Sequence, residues 1–221
     1  MKKTHRKVPI ITEDLTSADL ERLLAQSEVA VDTETLGLDP FRDALCLVQI
    51  CDANGMVNII RSSAWRQAHH LKTFLTSPVI KVFHHAVFDC SMILANVGVE
   101  VVHPYCTKIA SRLARTYGSS HSLATIVQEL LEIELPKELQ VSDWSSDLTE
   151  AQLRYAANDV VHLLEVKRLL EAKLEHRRPL PTGLSLVDLN VQCQKMVPTL
   201  VQLKLNGWNV EGGGAPTFFG H

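Results

Sequence analysis

Short apolar segments bounded by polar and turn-forming residues dominate the first third of the chain. Three of these segments have the length and β-branched content of strands. They are residues 29–35, 44–52 and 56–61. Asn54-Gly55 stands between the second and the third, and this dipeptide favours a tight hairpin turn. The pattern therefore predicts three consecutive antiparallel strands, preceded by a short amphipathic helix over residues 17–26.

Helical periodicity becomes frequent after the third strand. A helix predicted over residues 65–75 leads to a fourth strand at 79–83, and a crossover of this kind favours parallel pairing. Further helices are predicted at residues 122–131, 149–176 and 184–205. The expected fold class is α/β, with a mixed sheet of three antiparallel strands and then parallel strands, flanked by helices.

Composition divides the chain into one domain and its extensions. The 221 residues, 46% of them hydrophobic, are enough for one substantial core. We predict an N-terminal tail at residues 1–16, a domain at 17–178, a helical appendage at 179–211 and a flexible tail at 212–221.

Charge and apolar content restrict the classes of protein. The chain has no run of about 18 apolar residues to span a membrane, and the apolar residues after its basic start are too few for a signal sequence. The five cysteines form no Cys-x-x-Cys pair. We expect a cytoplasmic protein with reduced thiols and no membrane partner. A net charge of −3 is unusual for a protein that tracks long nucleic acid.

Two acidic residues interrupt the first predicted strand. Asp32 and Glu34 are two residues apart, so their side chains project from the same face of the strand. Their four carboxylate oxygens suit a hard divalent cation such as Mg²⁺ or Mn²⁺. Acid pairs are also common at exposed strand ends, so this pair alone does not identify a metal site.

Further acids appear where the predicted elements bring them towards the same region. Asp89 follows the strand at 79–83, near the beginning of a helix that ends close to residue 97. Tyr155 and Asp159 are four residues apart in a long helical pattern, which places them on one face of that helix. Four acids and a tyrosine are therefore candidates for one catalytic site.

In order and spacing, these residues resemble the motifs of the DEDDy-type 3′-5′ exonucleases. The resemblance covers residues 20–176 and is strongest to the ribonuclease D branch, in particular to its short nano-RNase C members. The segments that carry it are 31–38, 47–50, 105–113, 142–144 and 155–160. The C-terminal segment is also somewhat similar to the connector between the exonuclease and polymerase of family A DNA polymerases.

The resemblance implies an RNase H-like fold and hydrolysis assisted by two Mg²⁺ or Mn²⁺ ions about 4 Å apart. Asp32 would bridge both ions, Glu34 and Asp159 would complete one site, and Asp89 would help to hold the second ion. Tyr155 would orient the attacking water and help to deprotonate it. All five residues are then catalytic.

The resemblance also implies substrate contacts. Thr35 would contact the terminal 3′ hydroxyl, and Leu36 or Leu38 would wedge against the last base; a place in the core suits either leucine equally well. His85 stands where many relatives carry Asn. Two further candidates each have an alternative: Lys108 lines a phosphate path or, with Arg112 and Arg115, a solvated helix face, and His121 contacts a phosphate or caps the helix at residue 122.

The leading hypothesis is a 3′-5′ exonuclease that degrades short single-stranded RNA to nucleoside 5′-monophosphates, and nano-RNase C relatives imply a homo-oligomer. The same chemistry on DNA is the runner-up, which the polymerase-like C-terminal segment favours. The third hypothesis is an inactive exonuclease-like module that binds nucleic acid or a partner, and the presence of all four acids and the tyrosine argues against it.

Overall fold

The computed structural model describes residues 11–136 and 142–208. Its centre is one six-stranded sheet. The strands are β1 (Ile11–Thr12), β2 (Glu28–Thr35), β3 (Leu45–Cys51), β4 (Val57–Ile60), β5 (Ile80–Phe83) and β6 (Pro104–Cys106). They lie in the order β1-β4-β3-β2-β5-β6.

The pairing of the strands confirms the predicted mixed sheet. β2, β3 and β4 are antiparallel neighbours, whereas β5 pairs in parallel with β2 on one side and with β6 on the other. The predicted hairpin joins β3 to β4, with Gly55 at a φ of 78°. Few residues other than glycine adopt this backbone conformation without strain, which explains the Asn-Gly dipeptide.

Nine α-helices and one short 3-10 helix (Trp65–Gln67) flank the sheet within the described residues. The α-helices are α1 (Ser17–Leu24), α2 (His69–Leu75), α3 (Ala86–Val97), α4 (Thr107–Ala114), α5 (Leu123–Leu131), α6 (Glu150–Val161), α7 (Leu163–Glu175), α8 (Leu186–Lys195) and α9 (Val197–Leu205). The longest of them, α7, has 13 residues. None of these helices has the length and apolar content needed to cross a lipid bilayer.

Three of the predicted helices are each divided in the structure. The helix predicted over 65–75 is a 3-10 helix at Trp65–Gln67 and then α2, with Ala68 outside helical geometry between them. The prediction of one helix over 149–176 was wrong at His162, where the hydrogen-bond ladder is interrupted between α6 and α7 although the φ of −103° and ψ of −11° stay in the right-handed helical region. The prediction over 184–205 was wrong in the same way at Met196. Pro198, in the first turn of α9, explains the break at Met196, since proline has no N–H to continue the ladder of a preceding helix.

Part of the predicted N-terminal tail belongs to the folded domain. Ile11 and Thr12 pair in parallel with β4, and Leu15 is buried in the core. The Asp14 carboxylate accepts hydrogen bonds from the first backbone N–H groups of α2, at His70 and Leu71. The prediction of a tail was therefore wrong for residues 11–16; residues 1–10 and the predicted flexible tail at 212–221 lie outside the described residues.

The predicted helical appendage packs against the domain. α9 contacts α3, and α8 contacts α4 and α7. Gln194 on α8 accepts a hydrogen bond from the Cys106 N–H at 2.7 Å and donates one to the Cys106 carbonyl at 3.1 Å. This side chain thus satisfies a peptide group on the edge strand β6.

Alternation along β2 sends neighbouring side chains into two different layers. Val29 and Val31 join the apolar cluster formed with α2, α3 and α9, whereas Ala30 joins the cluster formed with α4, α5 and α7. Asp32 and Glu34 continue the face of Ala30. β5 pairs only with residues 28–30 of β2, so the segment that carries these acids extends beyond the end of β5.

Candidate active site

Three carboxylates from two elements meet beside the end of β2. Oxygen atoms of Asp32, Glu34 and Asp159 all lie within 4.8 Å of one another, and each of these side chains is partly exposed. The first two come from β2 and the third from α6, which packs against β2 and β3. The structure therefore brings together three of the four acids that the sequence motifs singled out.

Helix α6 is fixed at its N-terminus by a capping box. The Thr149 hydroxyl accepts from the Gln152 backbone N–H, and the Gln152 side chain accepts from the Thr149 N–H. The Gln152 amide also donates to the Asp143 carbonyl. These contacts set the position of α6 two turns before Asp159.

Tyr155 lies one turn before Asp159 and faces the same site. The Tyr155 hydroxyl lies close enough to the Asp159 carboxylate to act on its pKa, which it lowers as a donor to the charged form does. Its ring packs on the buried Trp144, with 6.0 Å between ring centroids. Burial and the charges of the nearby acids raise the pKa of Tyr155, so the phenol stays protonated at neutral pH.

Desolvation and mutual repulsion make this group of acids unfavourable in its ionised form. Desolvation raises the pKa of Glu34 to about 9 and that of Asp159 to about 7. It also raises the pKa of Asp32 well above its usual range, and the neighbouring negative charges raise it further. A divalent cation would relieve both effects, and an all-oxygen donor set is the type that Mg²⁺ and Mn²⁺ prefer. The residues present fit such a cation.

Asp89 lies beside the three-carboxylate group rather than within it. It sits in the first turn of α3, where its carboxylate accepts a hydrogen bond of 2.6 Å from the Thr33 hydroxyl. Burial raises the pKa of Asp89 to about 6, and its charge contributes to the raised pKa of Asp32. Thr33 points away from the acid pair as strand geometry requires, and thereby holds the fourth acid.

The two leucines in the turn after Glu34 are exposed, whereas Thr35 is partly buried. Leu36 and Leu38 have 51% and 76% of their surface accessible, so the alternative that either leucine packs in the core is wrong. The Thr35 hydroxyl donates to the Gly37 carbonyl at 2.7 Å and so stabilises the turn that presents them. The predicted contacts of these residues with substrate remain predictions.

His85 lies at the start of α3, next to a small aromatic group. Its ring stacks on Phe88 with 6.3 Å between centroids. The Lys204 ammonium group, from α9, lies 5.0 Å from the centroid of the Phe88 ring, and its charge acts to lower the pKa of Asp89. The C-terminal helices thus bring a cation to the margin of the acidic site.

Lys108 and His121 belong to a second hydrogen-bonded group. His84 bridges the Thr107 hydroxyl and the His121 carbonyl, and the His121 ring contacts the Ser111 hydroxyl at 2.9 Å. The Lys108 N–H donates to the His84 carbonyl. The alternative that His121 caps the following helix was wrong; Ser122 caps α5 through the Thr125 N–H.

Arg115 does not belong to a solvated helix face, as one alternative proposed. It is buried and forms an ion pair with Glu129 on α5. Its guanidinium also donates to Ser111 and to the Ser120 carbonyl. These contacts assign Arg115 to the packing of α4 on α5, and of the three basic residues Arg112 alone is exposed.

Two residues close to the site were assigned no role from the sequence, although one of them, Gln49, lies within the segment 47–50 that carries the resemblance. Gln49 interrupts the apolar run of β3, and this interruption is a signal that could have identified it. Lys204 lies in a C-terminal helix far along the chain, and its sequence neighbours give no indication that it approaches Asp89.

Comparison with known proteins gives consistent results. A sequence model described as 3′-5′ exonuclease matches residues 8–175. Ribonuclease D of Pseudomonas paraeruginosa is 35% identical over 159 residues, which are 69% of this chain and 41% of that protein. The structure of Brucella melitensis NrnC with bound Mg²⁺ superposes with a TM-score of 0.82 at 35% identity, and covers 96% of this chain and 98% of its own.

A second Brucella melitensis NrnC structure, bound to pGG, has a TM-score of 0.83 at 36% identity with the same coverage. The chain thus spans less than half of the ribonuclease D relative but nearly the whole of NrnC. These neighbours confirm the predicted RNase H-like fold.

Proposed function

The chain belongs to the 3′-5′ exonuclease family, and from this premise we propose that it hydrolyses short single-stranded RNA from the 3′ end to nucleoside 5′-monophosphates. The observation that carries the proposal is the group of Asp32, Glu34 and Asp159 beside the Tyr155 hydroxyl. NrnC, which this chain matches over 98% of its length, has been solved with pGG, and this supports a substrate of a few nucleotides.

The acids are proposed to hold two Mg²⁺ or Mn²⁺ ions. Asp32, Glu34 and Asp159 would hold one ion, and Asp32 and Asp89 would hold the other. Bound ions of this kind make a water more acidic and stabilise negative charge on the phosphate and on the leaving oxygen. Thr33 keeps the Asp89 carboxylate in place through its 2.6 Å hydrogen bond.

Tyr155 is proposed to orient the attacking water. With its O–H directed towards Asp159, the phenol would keep its proton and its oxygen would be free to accept a hydrogen bond from a water molecule. The buried Trp144 supports the ring, so the hydroxyl has little freedom to move. This arrangement directs the water without a charged tyrosine.

The substrate is proposed to lie across the exposed turn after β2. Leu36 or Leu38 would pack on the terminal base, and Thr35 would contact the 3′ hydroxyl. His85, Lys108 and His121 would face the phosphates. The net charge of −3 favours a short strand over a long one, because few phosphates need to be neutralised.

The test offers the full chain, with Mg²⁺ or Mn²⁺, four 5′-labelled substrates in parallel. These are an RNA dinucleotide, a longer single-stranded RNA, and single- and double-stranded DNA. Preferred cleavage of the dinucleotide supports the proposal, whereas stepwise shortening of DNA at an equal or higher rate supports a DNA exonuclease instead. Asp32→Ala is the control for contaminating nucleases, and activity equal to that of Asp32→Ala would reject a catalytic role.

A further inference from the structure

Gln49 is a buried polar side chain without a polar partner in the part of the chain that the structure describes. It lies in the middle of β3, where it is 0% exposed. Neither its amide oxygen nor its amide nitrogen has a hydrogen-bond partner among the described residues. The other residues of β3 are apolar or cysteine, so a polar residue here needs an explanation.

The strand register places Gln49 next to the acidic group. Gln49 is the residue directly opposite Asp32 in the antiparallel pair of β3 and β2. Directly opposite residues project from the same face, with Cβ atoms about 4.5–5.5 Å apart. Helix α6, which carries Tyr155 and Asp159, packs over both strands. The amide of Gln49 therefore lies beneath the site.

Packing alone does not explain a glutamine at this position. Its neighbours on the same face, Leu47 and Ile59, belong to an apolar cluster with Trp144 and Tyr155. A methionine or leucine would fill similar space there without burying two unsatisfied polar atoms. A glutamine at this position thus lowers the stability of the fold, as is common for residues that serve a site.

We propose that Gln49 is a positioning residue of the metal centre, whose amide hydrogen-bonds the Asp32 carboxylate through a bridging water and so fixes the orientation of its oxygens. The inference rests on the proposed metal-dependent function. Partners that orient ligating carboxylates in this way commonly change metal affinity by about 10- to 100-fold when they are removed. The amide can act from beneath Asp32 because it needs no contact with substrate.

The test compares Gln49→Met with Ile59→Met in the full chain. Ile59 is also fully buried and is paired with Gln49 in the register of β3 and β4, so its variant reports the effect of repacking alone. Thermal unfolding in EDTA and Mn²⁺ binding by calorimetry are measured for both variants, together with kcat and KM on the RNA dinucleotide.

For Gln49→Met we expect an unchanged or higher Tm in EDTA, an Mn²⁺ dissociation constant raised about 10- to 100-fold, and a lower kcat at limiting Mn²⁺ that added Mn²⁺ restores. Ile59→Met should leave the Mn²⁺ affinity unchanged.

A lower Tm for Gln49→Met with normal Mn²⁺ affinity would show that Gln49 only supports packing, and would overturn the inference. Failure of the wild-type chain itself to bind Mn²⁺ would reject the proposed function, and the inference with it. Wild-type binding with a normal Gln49→Met variant would reject the inference alone.

Discussion

At the scale of single residues, removal of the Tyr155 hydroxyl is expected to reduce catalysis without weakening metal binding. The hydroxyl lies beside Asp159 but is not itself a ligand suited to Mg²⁺ at neutral pH, because its pKa is raised further above an already high value. We expect Tyr155→Phe to lower kcat by about 10²- to 10⁴-fold, the usual loss for a group that assists proton transfer. Mn²⁺ affinity, measured by calorimetry, should change little.

Trp144 supplies a matched comparison for that experiment. Trp144→Phe keeps the hydroxyl but loosens the support of its ring, so a smaller loss of kcat is expected. An equal loss of Mn²⁺ affinity and of kcat in Tyr155→Phe would contradict the role of the hydroxyl in orienting water.

Substitution of Asp32 is expected to stabilise the metal-free protein. Asp32→Asn removes a carboxyl group whose ionisation is opposed by burial and by the neighbouring acids, and so removes a cost to folding at neutral pH; it should raise Tm in EDTA by about 3 °C or more. It should also lower kcat/KM by about 10³-fold or more, since several kcal/mol of charge stabilisation depend on the ligand.

Differential scanning calorimetry in EDTA and in Mg²⁺ checks the effect of Asp32→Asn. Mg²⁺ should raise the Tm of the wild type more than that of the variant, because binding to the native state alone stabilises it. A Tm in EDTA lower than that of the wild type would show that repulsion within the group is not the dominant effect.

Sequence motifs were sufficient to find the residues with distinctive chemistry. Spacings of two and four residues predicted which acids and which tyrosine share a face, and the three-carboxylate group agrees. The contact between Thr33 and Asp89 joins positions 56 residues apart, and no local pattern encodes it. The sequence shows a polar residue at position 49, but its proximity to Asp32 depends on the register between β2 and β3 and could not be predicted.

At the scale of elements, the main strands were predictable and the short or divided elements were not. Apolar runs and Asn54-Gly55 were sufficient to predict β2, β3 and β4. β1 has only two residues, too few for any periodicity, and its pairing depends on the distant β4. The break between α6 and α7 at His162 contains no proline or glycine, so the sequence did not indicate it.

Helix α9 is expected to contribute to substrate binding through Lys204. Its ammonium group lies over Phe88, next to the acidic site, where a substrate phosphate would be attracted. Lys204→Met keeps the apolar stem and removes the charge. We expect KM for the RNA dinucleotide to rise about tenfold with little change in kcat, and the salt dependence of binding to fall by about one ion.

Lys195→Met is the charge-matched control for this variant, since Lys195 is exposed on the neighbouring α8. Titrations of substrate at several salt concentrations, with Ca²⁺ in place of Mg²⁺, compare the two variants. Equal effects of both substitutions would mean that the charge of Lys204 acts only through the overall field of the protein.

The packing of α4 on α5 is expected to weaken in acid. Arg115 lowers the pKa of Glu129 to about 2, so their ion pair stabilises the fold above the ordinary carboxyl pKa of 4.5 and is lost as pH falls from there towards 2. Since Glu129 is partly exposed, Glu129→Gln should lower Tm at pH 7 by only about 2–4 °C.

Thermal unfolding of the wild type and Glu129→Gln between pH 7 and pH 3.5 measures this effect. The difference in Tm between the two proteins should shrink over the lower part of that range. A difference that is constant with pH would assign the effect to packing rather than to charge.

At the scale of the whole molecule, the segment matched by the family is smaller than the unit that folds. The match ends at residue 175, yet Val197 and Val201 on α9 are buried in the same cluster as β2 and α3. A chain that ends after residue 176 exposes that apolar surface, and burial of each such side chain is worth about 1.5–3 kcal/mol. We expect it to aggregate or to unfold at much lower temperature.

A chain that ends after Trp208 is the control for this truncation, because it retains every described helix. Light scattering and thermal unfolding distinguish the two chains. A monodisperse 1–176 fragment with the Tm of the full chain would show that α8 and α9 are accessory. The contribution of α8 and α9 to the stability of the fold was not predictable, since the pattern of an amphipathic helix does not indicate which surface it packs against.

The two hydrogen bonds between Gln194 and Cys106 protect the edge strand β6 from pairing with another molecule. The Gln194 amide accepts from the Cys106 N–H through its oxygen and donates one of its two N–H groups to the Cys106 carbonyl, so α8 provides β6 with the hydrogen bonds that a neighbouring strand would make. The edge of the sheet at β6 is thus covered by a side chain of a helix rather than by another strand. If α8 detached, the free N–H and carbonyl of Cys106 on β6 could pair with a strand of another molecule. Aggregation would then begin with the addition of that strand to the edge of this sheet.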